Sequence, residues 1–279
     1  SSDVCSSDLD EKPARTPLHK SSQRGAPAGA PRAFSTQELH AVIVQTTGTG
    51  PYVYTLDNGL TVALERLPHV YSASAGVWIK TGSANESPRE AGLAHFLEHL
   101  FFKGTRTRSA HDLMEMIESR GGHFNAFTTR EYTCLYVRML REHLFPGLDV
   151  LADVLRDSTF NDLEKERNVI VEEIAASEDV PEEHAGDLIT AFHWPAHALG
   201  QPIAGTQESV AQLDLHAVRD YFKRWYRPGN MVLAIAGNFD EGAVMAEVER
   251  LFGPLPAGET PPPYAPPAWQ SGVLPVSSD

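Results

Sequence analysis

The sequence predicts an α+β fold, a mixed or antiparallel sheet packed with helices, over about residues 51–255. Three observations carry this. Strand-like apolar runs cluster near Tyr52–Ile79 and again at Met231–Gly237, helical periodicity fills most of the stretch between them, and proline punctuates the chain after Gly253.

Taken in order, runs at 52–56 and 60–66 flank Asp57-Asn58-Gly59, a hairpin signal because Asn-Gly accepts positive φ. A third strand covers 71–80, with Ala73, Ala75, Val77 and Ile79 on one face. Helices are expected over about 90–103 and 109–120, the second stopped by Gly121-Gly122. One strand follows at 123–138, then helices near 143–157, 161–179, 182–193 and 214–226. Met231–Gly237 reads as a buried strand and 240–252 as the last helix.

The flanks read differently. Ser1–Asp10 repeats Ser-Ser-Asp, which returns at Ser277–Asp279, so both ends look foreign to the fold. Residues 11–50, rich in Pro, Ala, Gly, Ser and Thr, read as a disordered leader, giving 1–50 as one segment outside the domain. Residues 256–279 read as a Pro-rich linker and the truncated start of a second domain.

The 279 residues carry a formal charge of −14, from 23 Lys+Arg against 37 Asp+Glu, which argues against nucleic acid as the main partner. No apolar run reaches the roughly 18 residues of a transmembrane segment, and the start lacks a secretory profile. Cytoplasmic and periplasmic or organellar proteins would share these features. With only Cys5 and Cys134, no disulfide framework or cysteine metal site is available, and Cys134 reads as a small buried hydrophobe.

The chemistry centres on His95-Phe-Leu-Glu98-His99. Histidines four apart project from one helix face a single turn apart, a spacing that lets both ligate one zinc ion. Glu98 lies at the edge of that face, where it can serve as general base without taking a coordination position. The apolar flanks Leu93, Ala94, Phe96, Leu97, Leu100, Phe101 and Phe102 predict a buried helix, whose polar groups need a partner.

A third ligand is sought on the helix at 161–179. At 100° per residue, Leu163, Ile170 and Ile174 define its core-facing stripe. Glu166 and Glu173, seven apart, border that stripe, while Glu172 points away. Glu173 is therefore the expected third ligand, and Glu166 the carboxylate that orients a ligand histidine. His111, His123, His193 and His197 read as structural or surface residues, Pro195 breaking helical geometry between the last two.

Several stretches together resemble the M16 metallopeptidases, the pitrilysin, insulinase and mitochondrial-processing-peptidase family with the inverted HxxEH motif. His95–His99 followed by Leu-Phe-Phe-Lys-Gly104-Thr105 is similar to that family's active-site helix, and Glu166-Arg-Asn-Val-Ile-Val-Glu-Glu173 to its distal glutamate motif. Gly121-Gly-His-Phe-Asn125-Ala126-Phe-Thr128 resembles the strand that pairs with substrate backbone. Trp225-Tyr-Arg-Pro228-Gly-Asn230-Met resembles the close of the first domain.

The resemblance implies a metallohydrolase domain of the LuxS/MPP-like type and a zinc metalloendopeptidase acting on peptide or unfolded polypeptide. It implies one Zn2+ per chain on His95, His99 and Glu173, Glu98 and Glu166 as catalytic residues, and Asn125 and Ala126 at the substrate. It also implies a second homologous half or partner subunit, missing here, which completes the chamber and supplies the oxyanion donors. The competing expectation is a non-catalytic partner subunit of a processing-peptidase-like complex, a class that usually loses one or more of these four ligand and base residues.

Overall fold

Asn58 and Gly59 set the turn between the strands at 52–56 and 61–66. Gly59 adopts a φ of 92°, Asn58 Oδ1 accepts the N–H of Leu60, and Asn58 Nδ2 donates to the Phe252 carbonyl at 2.8 Å. The computed structural model describes residues 41–44 and 51–274, apart from 196, 260, 261, 263 and 266. The strands are β1 (Ala41–Val44), β2 (Tyr52–Leu56), β3 (Thr61–Arg66), β4 (Ser72–Ile79), β5 (His123–Thr128), β6 (Thr133–Leu140) and β7 (Met231–Gly237). They form one sheet in the order β1-β2-β3-β7-β4-β6-β5. Among the described strands only β3 and β7 pair in parallel, so the sheet is mixed, as expected.

The helices are α1 (Leu93–Leu100), α2 (Ala110–Glu118), α3 (Leu144–Asp157), α4 (Leu163–Glu178), α5 (Pro181–His193), α6 (Gln207–Gln212), α7 (Leu215–Trp225) and α8 (Glu241–Phe252). The period-2 reading of β4 holds: Ala73, Ala75, Val77 and Ile79 are all buried in the main core with Leu93, Phe96 and Leu97 of α1 and Leu148 and Leu151 of α3. The opposite side of the sheet carries Trp78, whose ring meets Phe127 edge-on at 5.7 Å. No helix among the described residues is long and apolar enough to cross a membrane.

Three expectations need correction. Ala41–Val44, assigned to the leader, pairs antiparallel with β2, because Ala-Val-Ile-Val is itself a strand-forming run. The single strand at 123–138 is a hairpin, β5 and β6. Thr129 makes the turn: its Oγ1 accepts the N–H of Tyr132 at 3.0 Å, while its own N–H donates to the Tyr132 carbonyl at 2.8 Å. The short helix α6 is not among the elements the sequence predicts. It is capped by Thr206, whose Oγ1 accepts the N–H of Ser209 at 3.2 Å.

The segment after Leu255 has no helix or strand among its described residues. It nevertheless lies against the domain. Trp269 stacks on His193 with ring centroids 3.9 Å apart, and Tyr264 donates its hydroxyl to Glu131. The rest of 1–50, and the chain end at 275–279, lie outside the described residues.

Candidate active site

The site grows from the start of α1. The first N–H groups of a helix have no partner within it, and here a side chain six residues upstream supplies one. Glu86, 5% exposed, accepts the N–H of Ala94 at 2.6 Å and that of Gly92 at 2.8 Å. Burial pushes its carboxyl up to about 8, opposed by those backbone N–H groups. Gly92 has a φ of 90°, and a Cβ there would meet the Ala204 carbonyl oxygen at 2.4 Å, so only glycine fits. Behind the helix, Leu93, Ala94, Phe96, Leu97 and Leu100 are fully buried. The predicted apolar helix is thus pinned at its start and along its back.

His95 and His99 occupy the remaining face, with ring centroids 4.7 Å apart. Across from them runs α4. Glu173 Oε2 lies 3.8 Å from His95 Nε2 and 3.4 Å from His99 Nε2, and the three donor atoms lie within 4.8 Å of one another. Two donors bound tetrahedrally at 2.0–2.1 Å would stand about 3.4 Å apart, so the set matches a divalent ion of zinc's size. Burial, then the neighbouring His99, pulls His95 down to about 4, leaving a neutral imidazole able to ligate. Its Nδ1 is buried without a hydrogen-bond partner among the described residues.

The distal glutamates sit at different depths. Glu166 is buried, but Glu173 has 48% of its side chain exposed. It stands at the open mouth of the site, beside the core stripe of Ile170 and Ile174 rather than within it. Glu166 Oε2 lies 3.4 Å from His99 Nδ1. A proton on Nδ1 leaves the Nε2 lone pair facing Glu173. Glu98 is the next polar group. Burial lifts its carboxyl above the ordinary range, while hydrogen bonds from Thr128 and the charge of His99 pull it back. Its Oε2 is buried without a partner among the described residues.

The edge strand lies alongside. The ring of Phe102, just past α1, packs on Phe124 of β5 at 4.9 Å. In β5, Asn125 faces out and Ala126 in. Asn125 Oδ1 accepts the N–H of Ala126 at 2.9 Å. β5 ends the sheet and pairs with β6 alone among the described strands.

Sequence reasoning missed three residues here: Glu86 at the helix start, Thr128 beside Glu98, and Lys103, whose Nζ lies 2.7 Å from Glu166 Oε1. Lys103 and Thr128 both lie inside motifs that resemble the family's, so a signal was present for each, though not for the contact it makes; Glu86 gave none. A second cluster, His111, Asp112 and Glu115, is exposed on α2. Asp112 caps that helix with Ser109, and His111 and Glu115 form an i,i+4 pair. Capping and pairing account for it.

A family model described as insulinase (peptidase family M16) matches residues 61–207. A second, the peptidase M16 inactive domain, matches residues 212–274. An uncharacterized zinc protease of Bacillus subtilis, YmxG, is 45% identical over 202 residues, which are 72% of this chain and 49% of that protein. The chain spans about half the length of the curated relatives it matches. Among solved structures, the periplasmic protease PqqL from Escherichia coli aligns with a TM-score of 0.73 at 26% identity, over 81% of this chain and 26% of that one. Pitrilysin shares the fold with a TM-score of 0.74 at 23% identity, over 83% of this chain and 26% of its own. With the first family model covering more than half of its length, this chain belongs to the insulinase family of peptidases, family M16.

Proposed function

We propose that this chain supplies the metal-binding and general-base half of a zinc metalloendopeptidase, with one zinc ion per chain held by His95, His99 and Glu173. The observation that carries the reading is the convergence of those three donor atoms within 4.8 Å, next to the Glu98 carboxyl, whose Oε2 is buried. Bound zinc supplies Lewis acidity, drawing the pKa of a water molecule toward about 7. Glu98 takes the proton of the attacking water and passes it to the leaving amine, a role suited to a carboxyl whose pKa is raised. Glu166 holds His99 in the tautomer that presents Nε2.

The substrate backbone adds to the free edge of β5 at Asn125 and Ala126. In the absence of peptide, Asn125 covers the Ala126 N–H, which also blunts an edge open to unwanted pairing. A peptide strand would displace that side chain. Binding of this kind reads backbone more than side chains, so a varied set of unfolded polypeptides fits it.

We further propose that rapid turnover needs a second half or partner subunit, since no group described in this site is placed as an oxyanion donor. A non-catalytic partner of the same fold has no need of Glu98 beside a complete donor set, and no observation favours it. Zinc stoichiometry tests the site. Wild type should hold one zinc, Glu173→Ala should lose it, Glu172→Ala should keep it, and Glu98→Gln should keep zinc and lose hydrolysis in the complete enzyme. Loss of metal in Glu172→Ala alone would overturn the ligand assignment.

A further inference from the structure

Lys103 has no part in the site as proposed so far, yet it touches the group that aims a ligand. It ends the 3-10 turn Phe101–Lys103 that continues α1. The chain is then turned by Gly104, at a φ of 101°. The Gly104 carbonyl accepts from the backbone N–H and the hydroxyl of Thr159, at 3.3 and 3.2 Å. The lysine is therefore held from both sides, by the metal helix and by the segment that leads into α4.

From that position its Nζ meets Glu166 Oε1 at 2.7 Å, while Oε2 of the same carboxylate stands 3.4 Å from His99 Nδ1. The Glu166 side chain is only 4% exposed, and Lys103 is the only Lys or Arg paired with it among the described residues. A carboxylate is planar, so fixing one oxygen fixes where the other points. A buried carboxylate without its cation has every reason to move toward solvent.

We infer that Lys103 is a positioning residue for the metal ligand His99, acting through Glu166: it takes one carboxylate oxygen and thereby holds the other on the imidazole. The inference rests on the metal-site reading above. It differs from a general stabilising role because its effect must pass through one named carboxylate.

A double-mutant cycle on the full chain tests it, with Lys103→Met, Lys103→Arg, Glu166→Gln and Lys103→Met/Glu166→Gln. Zinc affinity is read by competition with a chromophoric chelator, and ligand geometry by the visible absorption of the cobalt(II)-substituted protein. Lys103→Met should weaken zinc binding about 10–100-fold and alter the cobalt spectrum, and Lys103→Arg should restore both. In the Glu166→Gln background, Lys103→Met should change affinity less than about twofold. Should Lys103→Met fail to fold by circular dichroism, Lys103→Gln is read in its place against the same expectations. Wild-type affinity with an unchanged cobalt spectrum in the charge-removing variant, or fully additive losses, would overturn the inference. Failure of wild type to bind zinc, or zinc retained in Glu173→Ala, would instead overturn the site reading beneath it.

Discussion

Replacing Glu86 with alanine tests how the metal helix is held in place. The side chain is buried and accepts the N–H of Ala94, in the first turn of α1, at 2.6 Å and that of Gly92, the residue before the helix, at 2.8 Å. Each buried donor left without a partner costs about 1–3 kcal/mol, so the pair amounts to about 2–6 kcal/mol. Set against a typical total of about 5–15 kcal/mol, such a loss is large. Urea unfolding of the metal-free chain at pH 6 measures it. A variant within about 0.5 kcal/mol of wild type would refute the claim that Glu86 anchors α1.

The same variant carries a pH signature. The Glu86 carboxyl is raised from 4.5 to about 8 in the folded chain, so between those values the folded state binds a proton that the unfolded state has released. Its contribution is therefore complete below about pH 4.5 and is lost as pH rises through 8. In Glu86→Ala that part of the decline with pH should vanish.

Other expectations follow from single contacts. Gly92→Ala forces a side chain into a left-handed position and against the Ala204 carbonyl, so it should cost at least about 2 kcal/mol in denaturant unfolding and weaken zinc binding. Asp153, fully buried, holds Thr105 Oγ1 at 2.8 Å and Arg108 at 2.8 Å. Asp153→Ala should lose about 3 kcal/mol, and unchanged melting would show the cluster to be ornamental. Cys134 is 1% exposed and burial pushes its thiol up to about 12. Iodoacetamide at pH 8 should therefore label it only after unfolding, as read by peptide mass. Asn125→Ala uncovers the Ala126 N–H, and amide exchange at Ala126 should speed up; an unchanged rate would mean the side chain does not shield it.

Much of this was legible in the sequence because it depends on local periodicity. The alternation at 73–79 and the spacing of His95, His99, Glu166 and Glu173 are properties of one element at a time, and the structure bears out the element in each case. What stayed hidden depends on contacts between distant segments. Thr128 reaches Glu98 because β5 lies against α1, and nothing in the pattern around residue 128 says so. The split of 123–138 into a hairpin turned on one threonine bonding its own loop. The exposure of Glu173 depended on how α4 crosses α1, which a helical wheel does not contain.

The placement of β7 has a consequence for how the molecule comes into being. Strands β1–β3 and strands β4–β6 make no hydrogen-bonded pair with each other; β7, from residues 231–237, joins the two groups as the strand between them. Without that late segment the two ribbons lack the strand that joins them, and the core lacks Met231, Leu233 and Ile235. Closing the parallel β3–β7 pair spans most of the domain, the kind of distant pairing that slows folding. A ribosome-bound chain halted before residue 231 should thus hold its two ribbons unjoined and its core unfilled at Leu233 and Ile235, so that the single sheet closes among the last events of folding.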